Sequence, residues 1–582
     1  MPFGQSPSPR ARAIARALAA IASVLAAAAL AGCGSSSAPG TSADPAVVVP
    51  ASAPLYAGAT VRPAGAQQTA TLAVGRALTH QADPYLRLLG ALQTPGSPAL
   101  SFKREVAPWL GPHAGVFVTS LGSSGALLSL VQQGLLSSSS TTSPFAAGAG
   151  SAQGAIVLDT SNEAKARSFL DAQARRAGAH AASYRGFSYE ATSGGLALGI
   201  VHRFAVIGSE AGMHGVIDTE LGGASLEHAS GYQALLSFAP AQALAHLYSN
   251  PESSTSSAGT SQAGQQEGLA GVLALLGGAR EANVSVVPSA SSIALDADTL
   301  AHPTGAPGGL LSSSAQGAGT LAQLPGESWL AVGLGNVATT LAADVQGLRG
   351  LLSIAGASPE APASGTLNLK GLFEGLFMPL AALGADTPQA RQDFQSWMGS
   401  AGIFAEGASL LELKAAVEIE STDPARSRAA VAQLGAQLRK AGGSLAPVAT
   451  SGAEAAIGAR LPGLPVVLEI AAGRASDGHA EFVLGLGEAS VGAALDPPSA
   501  LSGAASYSAA DAALGEGIKP SIMFDVPTFI SLLEAVGLTE DPTISKFVPY
   551  LRTLTTLDGG GRTLGAQAQR FRLVAGLTPV GG

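Results

Sequence analysis

Cysteine is almost absent from this chain: Cys33 is the only one in 582 residues. No disulfide can form within the chain, so folding must rest on buried apolar surface rather than covalent staples. Soft-metal sites built on thiolates are excluded for the same reason. Charge is scarce as well, at 12% against about 25% in an ordinary globular domain. It sums to −9, which excludes a general nucleic-acid binder, because that function needs a basic face. Aromatic residues reach only 5%. The chain has no HExxH, no pair of histidines at i and i+4, no GxSxG and no SxxK, so the common zinc-hydrolase and serine-nucleophile motifs are missing. After the N-terminal region no apolar run approaches the roughly 20 residues a spanning helix requires. The longest candidates, residues 268–279 and 371–385, are short or interrupted by Glu374.

What is present begins at the N-terminus. Arg10, Arg12 and Arg16 precede an uncharged stretch over residues 17–30, and Leu30-Ala31-Gly32-Cys33 follows. The stretch is too short to span and reads as an export signal. Its ending resembles the bacterial lipobox, in which the peptide is cut between Gly32 and Cys33 and the cysteine thiol carries a diacylglyceryl group. The chemistry needs a nucleophilic sulfur beside small residues, and the only cysteine of the chain stands there. An odd cysteine in an exported protein calls for such an explanation. The plainer alternative is an ordinary cleaved signal with an incidental cysteine. Residues 34–42 are Gly, Ser, Ala, Pro and Thr throughout, the composition of a flexible tether. The expected location is therefore the extracytoplasmic face of the cell membrane, held by covalent lipid on Cys33.

The mature chain shows an internal echo. Pro108-Trp109-Leu110-Gly111 with Ala114-Gly115-Val116-Phe117 recurs as Ser396-Trp397-Met398-Gly399 with Ala401-Gly402-Ile403-Phe404. A β-rich run and helix over 155–178 recur over 416–442, and Phe204-Ala205-Val206-Ile207-Gly208 recurs as Phe482-Val483-Leu484-Gly485. Asn162 and Asp423 are N-cap types, Pro424 suits the first helical turn, and Gly178 and Gly442 suit the position after a helix. Ala166, Phe169, Leu170 and Ala174 recur at helical spacing in the first helix, and Val431, Leu434 and Leu438 in the second. Short strands flank each helix in hairpin-like pairs. The fold class that follows is α+β: two tandem related halves, with mainly antiparallel sheets and packed helices. The expected layout is a signal over 1–32, a tether over 33–50, a first half over 51–302, a linker over 303–319 and a second half over 320–582.

The residues with chemical promise are few. His202, His214 and His228 lie close in sequence and could converge on a sheet, but separate surface histidines are the plainer reading. Gly333-Leu334-Gly335-Asn336-Val337-Ala338 mimics a dinucleotide turn, yet lacks the acidic residue and βαβ context and reads better as a tight strand–helix turn. Glu418 and Glu420 share one strand face, expected to be the solvated one. Trp109 and Trp397 stand at matching points, with Tyr56 and Trp329 as a second candidate pair; they are expected to anchor the core rather than stack on glycans. Residues 541–554 have the spacing of an amphipathic helix.

The runs Ala53-Pro54-Leu55-Tyr56, Val61-Arg62-Pro63, residues 102–111 and Gly115-Val116-Phe117 resemble the actinobacterial domain-of-unknown-function 3352 family. That resemblance implies exported, often membrane-associated proteins and transfers no catalytic residue. The sequence thus points to a non-catalytic envelope lipoprotein, a scaffold or interaction module without cofactor or metal. Its partners are the membrane and an envelope protein. The alternative, suggested by the apolar excess, is a carrier for a hydrophobic or lipid-like ligand.

Overall fold

A computed structural model of the chain describes residues 43–79, 102–120, 153–250, 279–301, 313, 315–338, 340, 395–409, 411–440, 442–460, 466–535, 537–540, 545 and 548–578. Cys33, the export signal and most of the expected tether lie outside them. The chain divides into two compact units, with the boundary between Gly305 and Ala306 for the bulk of each.

Among the described residues the first unit is a ten-stranded sheet in which neighbouring strands pair antiparallel. Its strands are β1 (Leu55–Thr60), β2 (Leu110–Ser120), β3 (Gln153–Thr160), β4 (His180–Tyr184), β5 (Phe187–Ala191), β6 (Leu196–Val201), β7 (Phe204–Ser209), β8 (Ala245–Ser249), β9 (Glu281–Pro288) and β10 (Ser292–Leu300). Their order across the sheet is β4-β5-β6-β7-β3-β2-β1-β8-β9-β10. The helices are α1 (Gly65–Thr79), α2 (Glu163–Arg176), α3 (Glu210–Glu220) and α4 (Ser230–Phe238).

The second unit uses β11 (Ser328–Leu334), β12 (Met398–Glu406), β13 (Lys414–Ser421), β14 (Ser444–Pro447), β15 (Ala453–Arg460), β16 (Val467–Arg474), β17 (Ala480–Leu486), β18 (Ile522–Asp525), β19 (Leu554–Thr563) and β20 (Ala568–Leu577). They lie in the order β14-β15-β16-β17-β13-β12-β11-β18-β19-β20. Counted from its own first strand, each unit follows the same path. The helices of the second unit are α5 (Ala318–Gln323), α6 (Pro424–Lys440), α7 (Glu488–Leu495), α8 (Ala505–Leu514), α9 (Val526–Ala535) and α10 (Val548–Leu551).

The helix ends form as their residues dictate. Asn162 caps α2 by accepting the Lys165 N–H at 3.0 Å. Asp423 caps α6 by accepting from Ala425 at 3.1 Å and Arg426 at 3.2 Å. Each helix terminates on a left-handed glycine, Gly178 at φ 66° and Gly442 at φ 89°, a conformation that glycine adopts without Cβ strain. The next N–H then reaches back, Ala179 to Ala174 O and Gly443 to Leu438 O, both at 2.9 Å. In α2 the buried stripe is Ala166, Phe169, Leu170 and Ala174; in α6 it is Ala430, Val431, Leu434 and Leu438. These stripes pack on one sheet face with Trp109 in the first unit and Trp397 in the second. In the second unit the opposite face carries its own apolar cluster, in which Leu321, Leu324, Val491 and Leu501 meet Ala331, Phe404 and Met523.

Finer contacts recur as well. The bridge Pro50–Ser225 in the first unit has the counterpart Pro325–Ala500 in the second, a displacement of 275 positions for both partners. At the same displacement, Leu226 N–H bonds Val49 O and Leu501 N–H bonds Leu324 O, each at 2.7 Å.

Four expectations are corrected. Residues 45–50, assigned to the tether, are already packed: Pro45–Val47 forms a 3-10 turn, and Val48 and Val49 are buried. The expected linker ends too late, since Ser313 is buried and α5 begins at Ala318. Of the expected helix over 541–554, residues 541–544, 546 and 547 lie outside the described residues, while α10 covers Val548–Leu551 and Leu554 opens a strand. Tyr56 matches Ala331, not Trp329, because Tyr56 faces Tyr248 as Ala331 faces Met523. Trp109 and Trp397 are both buried, and truncating either to alanine should cost its own unit about 3–5 kcal/mol. Urea unfolding of Trp109→Ala and Trp397→Ala checks this; a midpoint unchanged in either variant would deny that tryptophan an anchoring role.

Candidate functional site

The side-chain period of two along a strand places Tyr56, Gly58 and Thr60 on one face of β1. Register sets Tyr248 and His246 of β8 beside Tyr56 and Gly58, and Phe117, Gly115 and His113 of β2 on their other side. One face of three neighbouring strands therefore gathers two tyrosines and two histidines around two glycines. The glycines are required by space. A Cβ on Gly58 would lie 2.6 Å from the His246 ring, and one on Gly115 would lie 2.7 Å from the Tyr56 ring.

Two further segments close over this face. Asp44 caps the turn Pro45–Val47, its Oδ1 accepting the Ala46 N–H at 2.9 Å and the Tyr56 hydroxyl at 3.0 Å. From α4, Tyr232 hydrogen-bonds His246 Nε2 at 2.9 Å and meets Tyr56 and Tyr248 edge-on at 6.0 and 5.2 Å. Tyr248 donates to Glu281 Oε2 at 2.7 Å, directly beneath Gly231, whose Cβ would collide with that carboxylate.

Two adjoining cavities open beside the network. One, of about 270 Å³, is lined by Asp44, Gly58, Thr60, His113, Leu244 and His246 among others. The second, of about 370 Å³, is lined by Asp44, Glu227, Tyr232, Gln233, Leu236 and Ser237 among others. Asp44 and Leu236 border both.

The electrostatics suit hydrogen bonding better than proton transfer. Burial, reinforced by Asp44, pushes the Tyr56 hydroxyl well above its ordinary 10. Burial does the same to Tyr232 and Tyr248, helped by Asp44 at Tyr232 and by the Glu281 bond at Tyr248. His246 is lowered by burial, with Asp44 opposing that shift and His113 adding to it. The tyrosines therefore stay protonated and the imidazole stays neutral at physiological pH. Such hydroxyls are hydrogen-bond donors, not nucleophiles.

The second unit builds the same ground differently. At a displacement of 275 positions, Tyr56, His246 and Tyr248 become Ala331, Ser521 and Met523, and Asp44 becomes Gly319. Ala331 and Met523 lie in the apolar cluster there.

The histidines singled out from sequence are not brought together. His202 occupies the β6–β7 turn at φ 52°. His214 stacks on Tyr184 at 3.8 Å and bonds the Tyr189 hydroxyl at 3.0 Å. His228 pairs with Ser225 Oγ at 2.8 Å. Among the described residues no three His, Cys, Asp or Glu groups are placed to hold a metal. The Gly333 motif is a strand end whose open side is filled by protein: Cβ atoms on Gly333 and Gly335 would strike Gly317 and Gln316. His113, His246, Asp44 and Tyr232 carry no motif; they become visible once the register of β1, β2 and β8 is known.

Glu418 corrects another expectation: it is buried at 8% exposure, whereas Glu420 on the same strand face keeps 43% of its side chain exposed. Glu481 stands directly opposite Glu420, and its Oε2 is buried without a hydrogen-bond partner among the described residues. Burial, then Asp477, raises Glu418 to about 8. Burial, then Glu418, Glu420 and Asp477, raises Glu481 to about 9. Both folded values exceed the ordinary 4.5, so the native state keeps protons that the unfolded chain releases. The contribution of these two groups to stability should be fully present below about pH 4.5 and be lost as pH rises toward 9. Glu481→Gln should flatten that slope in melting curves between pH 5 and 9; an unaltered slope would contradict the assignment.

A family model described as "Protein of unknown function (DUF3352)" matches residues 13–515. No curated protein matches the chain. A solved structure titled "Structure of crystal form I of TP0453" is similar over 46% of this chain and 82% of that one, at 9% identity and a TM-score of 0.25, a likeness too slight to carry an argument.

Proposed function

The chain belongs to the DUF3352 family, and for this member we propose a non-catalytic envelope lipoprotein that acts as a binding module through the cleft of its first unit. The observation that carries the reading is the Asp44–Tyr56 and Tyr232–His246 network opening on two adjoining cavities. Burying polar groups costs free energy unless they are paired. The second unit keeps the strand order with Ala331, Met523 and Ser521 in those places, so the fold does not demand the network. What the fold does not demand, function accounts for. The protonated tyrosines and neutral imidazole support binding over nucleophilic or acid–base work. The hydrophobic-carrier alternative calls for an apolar void, whereas these two cavities are open and edged by carboxylates, imidazoles and hydroxyls.

We also infer that the two units arose by tandem duplication. Their common strand order, the paired helix caps and the displacement of 275 positions shared by the Pro50–Ser225 bridge and the Tyr56–Tyr248 pair with their counterparts support this. Location follows from the export signal and Cys33, with two acyl chains sufficient for stable attachment.

Two measurements test these readings. Cys33→Ala should leave an uncleaved precursor or release the chain to the medium; recovery at the membrane, processed as before, would overturn the lipid anchor. Native mass spectrometry of the purified chain should show a polar small-molecule adduct that His246→Ala loses. Co-purifying lipid, retained in that variant, would instead establish the hydrophobic carrier.

A further inference from the structure

We propose that the adjoining cavities of the first unit take a small organic cation, a primary amine or guanidinium compound, with the carboxylates of Asp44 and Glu227 as its counter-charges. This deepens the binding reading above and rests on it. The described residues lining both cavities include two carboxylates and no lysine or arginine. An anion entering there would meet like charge with nothing to offset it, whereas a cation is attracted by both walls.

Asp44 is held for the task. Its Oδ1 is fixed by the Ala46 N–H and the Tyr56 hydroxyl, while Oδ2 carries no hydrogen bond among the described residues, and the side chain edges both cavities. An ammonium group has three donors and no acceptor, so it needs several acceptors around one point. Asp44 Oδ2, the Thr60 hydroxyl and the His113 imidazole stand around the smaller cavity. Gln233 stands with Glu227 around the larger. The volumes suit a short linear diamine or an aminoguanidine, not a lipid. A bare metal ion is a poorer fit, since the described residues place no three ligating groups together.

The second unit is an internal control. At the same displacement Asp44 and Glu227 become Gly319 and Ser502, and Tyr56 and His246 become Ala331 and Ser521. Both charges and the hydrogen-bonding frame are lost together there, as expected if they serve one ligand.

The test uses the processed full-length chain in detergent, titrated calorimetrically with 1,4-diaminobutane and agmatine, and with inorganic phosphate as the opposite charge. The amines should bind saturably at one site. Asp44→Asn should weaken them at least tenfold and Glu227→Gln at least threefold, while Ser521→Ala in the second unit changes nothing. Because Asp44 also caps a turn, Glu227→Gln, on an exposed residue outside the network, keeps the test decisive if Asp44→Asn fails to fold. No saturable binding of either amine, or binding that neither variant moves, would overturn the proposal. Phosphate bound in their place would overturn the ligand's charge while leaving the cleft a binding site.

Discussion

The close approach of aromatic and imidazole rings over Gly58 and Gly115 is the constraint on which the first unit depends. Two glycines opposite one another on β1 and β2 leave a trough in an otherwise filled sheet face. Tyr56 and His246 lie in it, at distances that no Cβ would permit. Once there, their polar atoms are cut off from bulk water and need partners, and Asp44 and Tyr232 supply them. A buried polar network of this kind is stabilising only when satisfied throughout. The turn that places Asp44 and the helix that places Tyr232 are therefore as much a part of the site as the strands.

Much of the scaffold was legible from local chemistry. Asn162, Asp423, Gly178 and Gly442 marked helix ends because capping and left-handed backbone are decided by neighbouring residues. The hairpin-like strand pairs flanking each helix were equally local. The site was hidden for the opposite reason. Tyr56, His113, Tyr232 and His246 come from four separate elements, and only cross-strand register joins them. Alternation along β13 put Glu418 and Glu420 on one face correctly, but a single strand cannot say whether a helix covers that face. Here α7 packs on that face beside Ala416 and Val483, and Glu418 is buried while Glu420 stays partly exposed.

The two units show one framework settled in two ways. The first keeps tyrosine, histidine and aspartate on the sheet face under α4; the second fills that ground with Ala331, Met523 and Leu324. Its buried carboxylates, Glu418 and Glu481, lie elsewhere on the sheet and act on its pH response rather than on a cleft. Composition averaged over 582 residues conceals the local gathering of tyrosine, histidine and carboxylate in the first unit.

The central physical claim is that His246 is a neutral imidazole held by the Tyr232 hydroxyl at the edge of the cleft. Nitrogen chemical shifts of the histidine side chains, followed from pH 8 to pH 5, measure this directly. His246 should protonate only below the usual histidine value of about 6.5, with Nε2 reporting a hydrogen bond that Tyr232→Phe abolishes. A His246 that protonates at or above the usual histidine value of about 6.5, and that ignores the loss of the Tyr232 hydroxyl, would contradict the account.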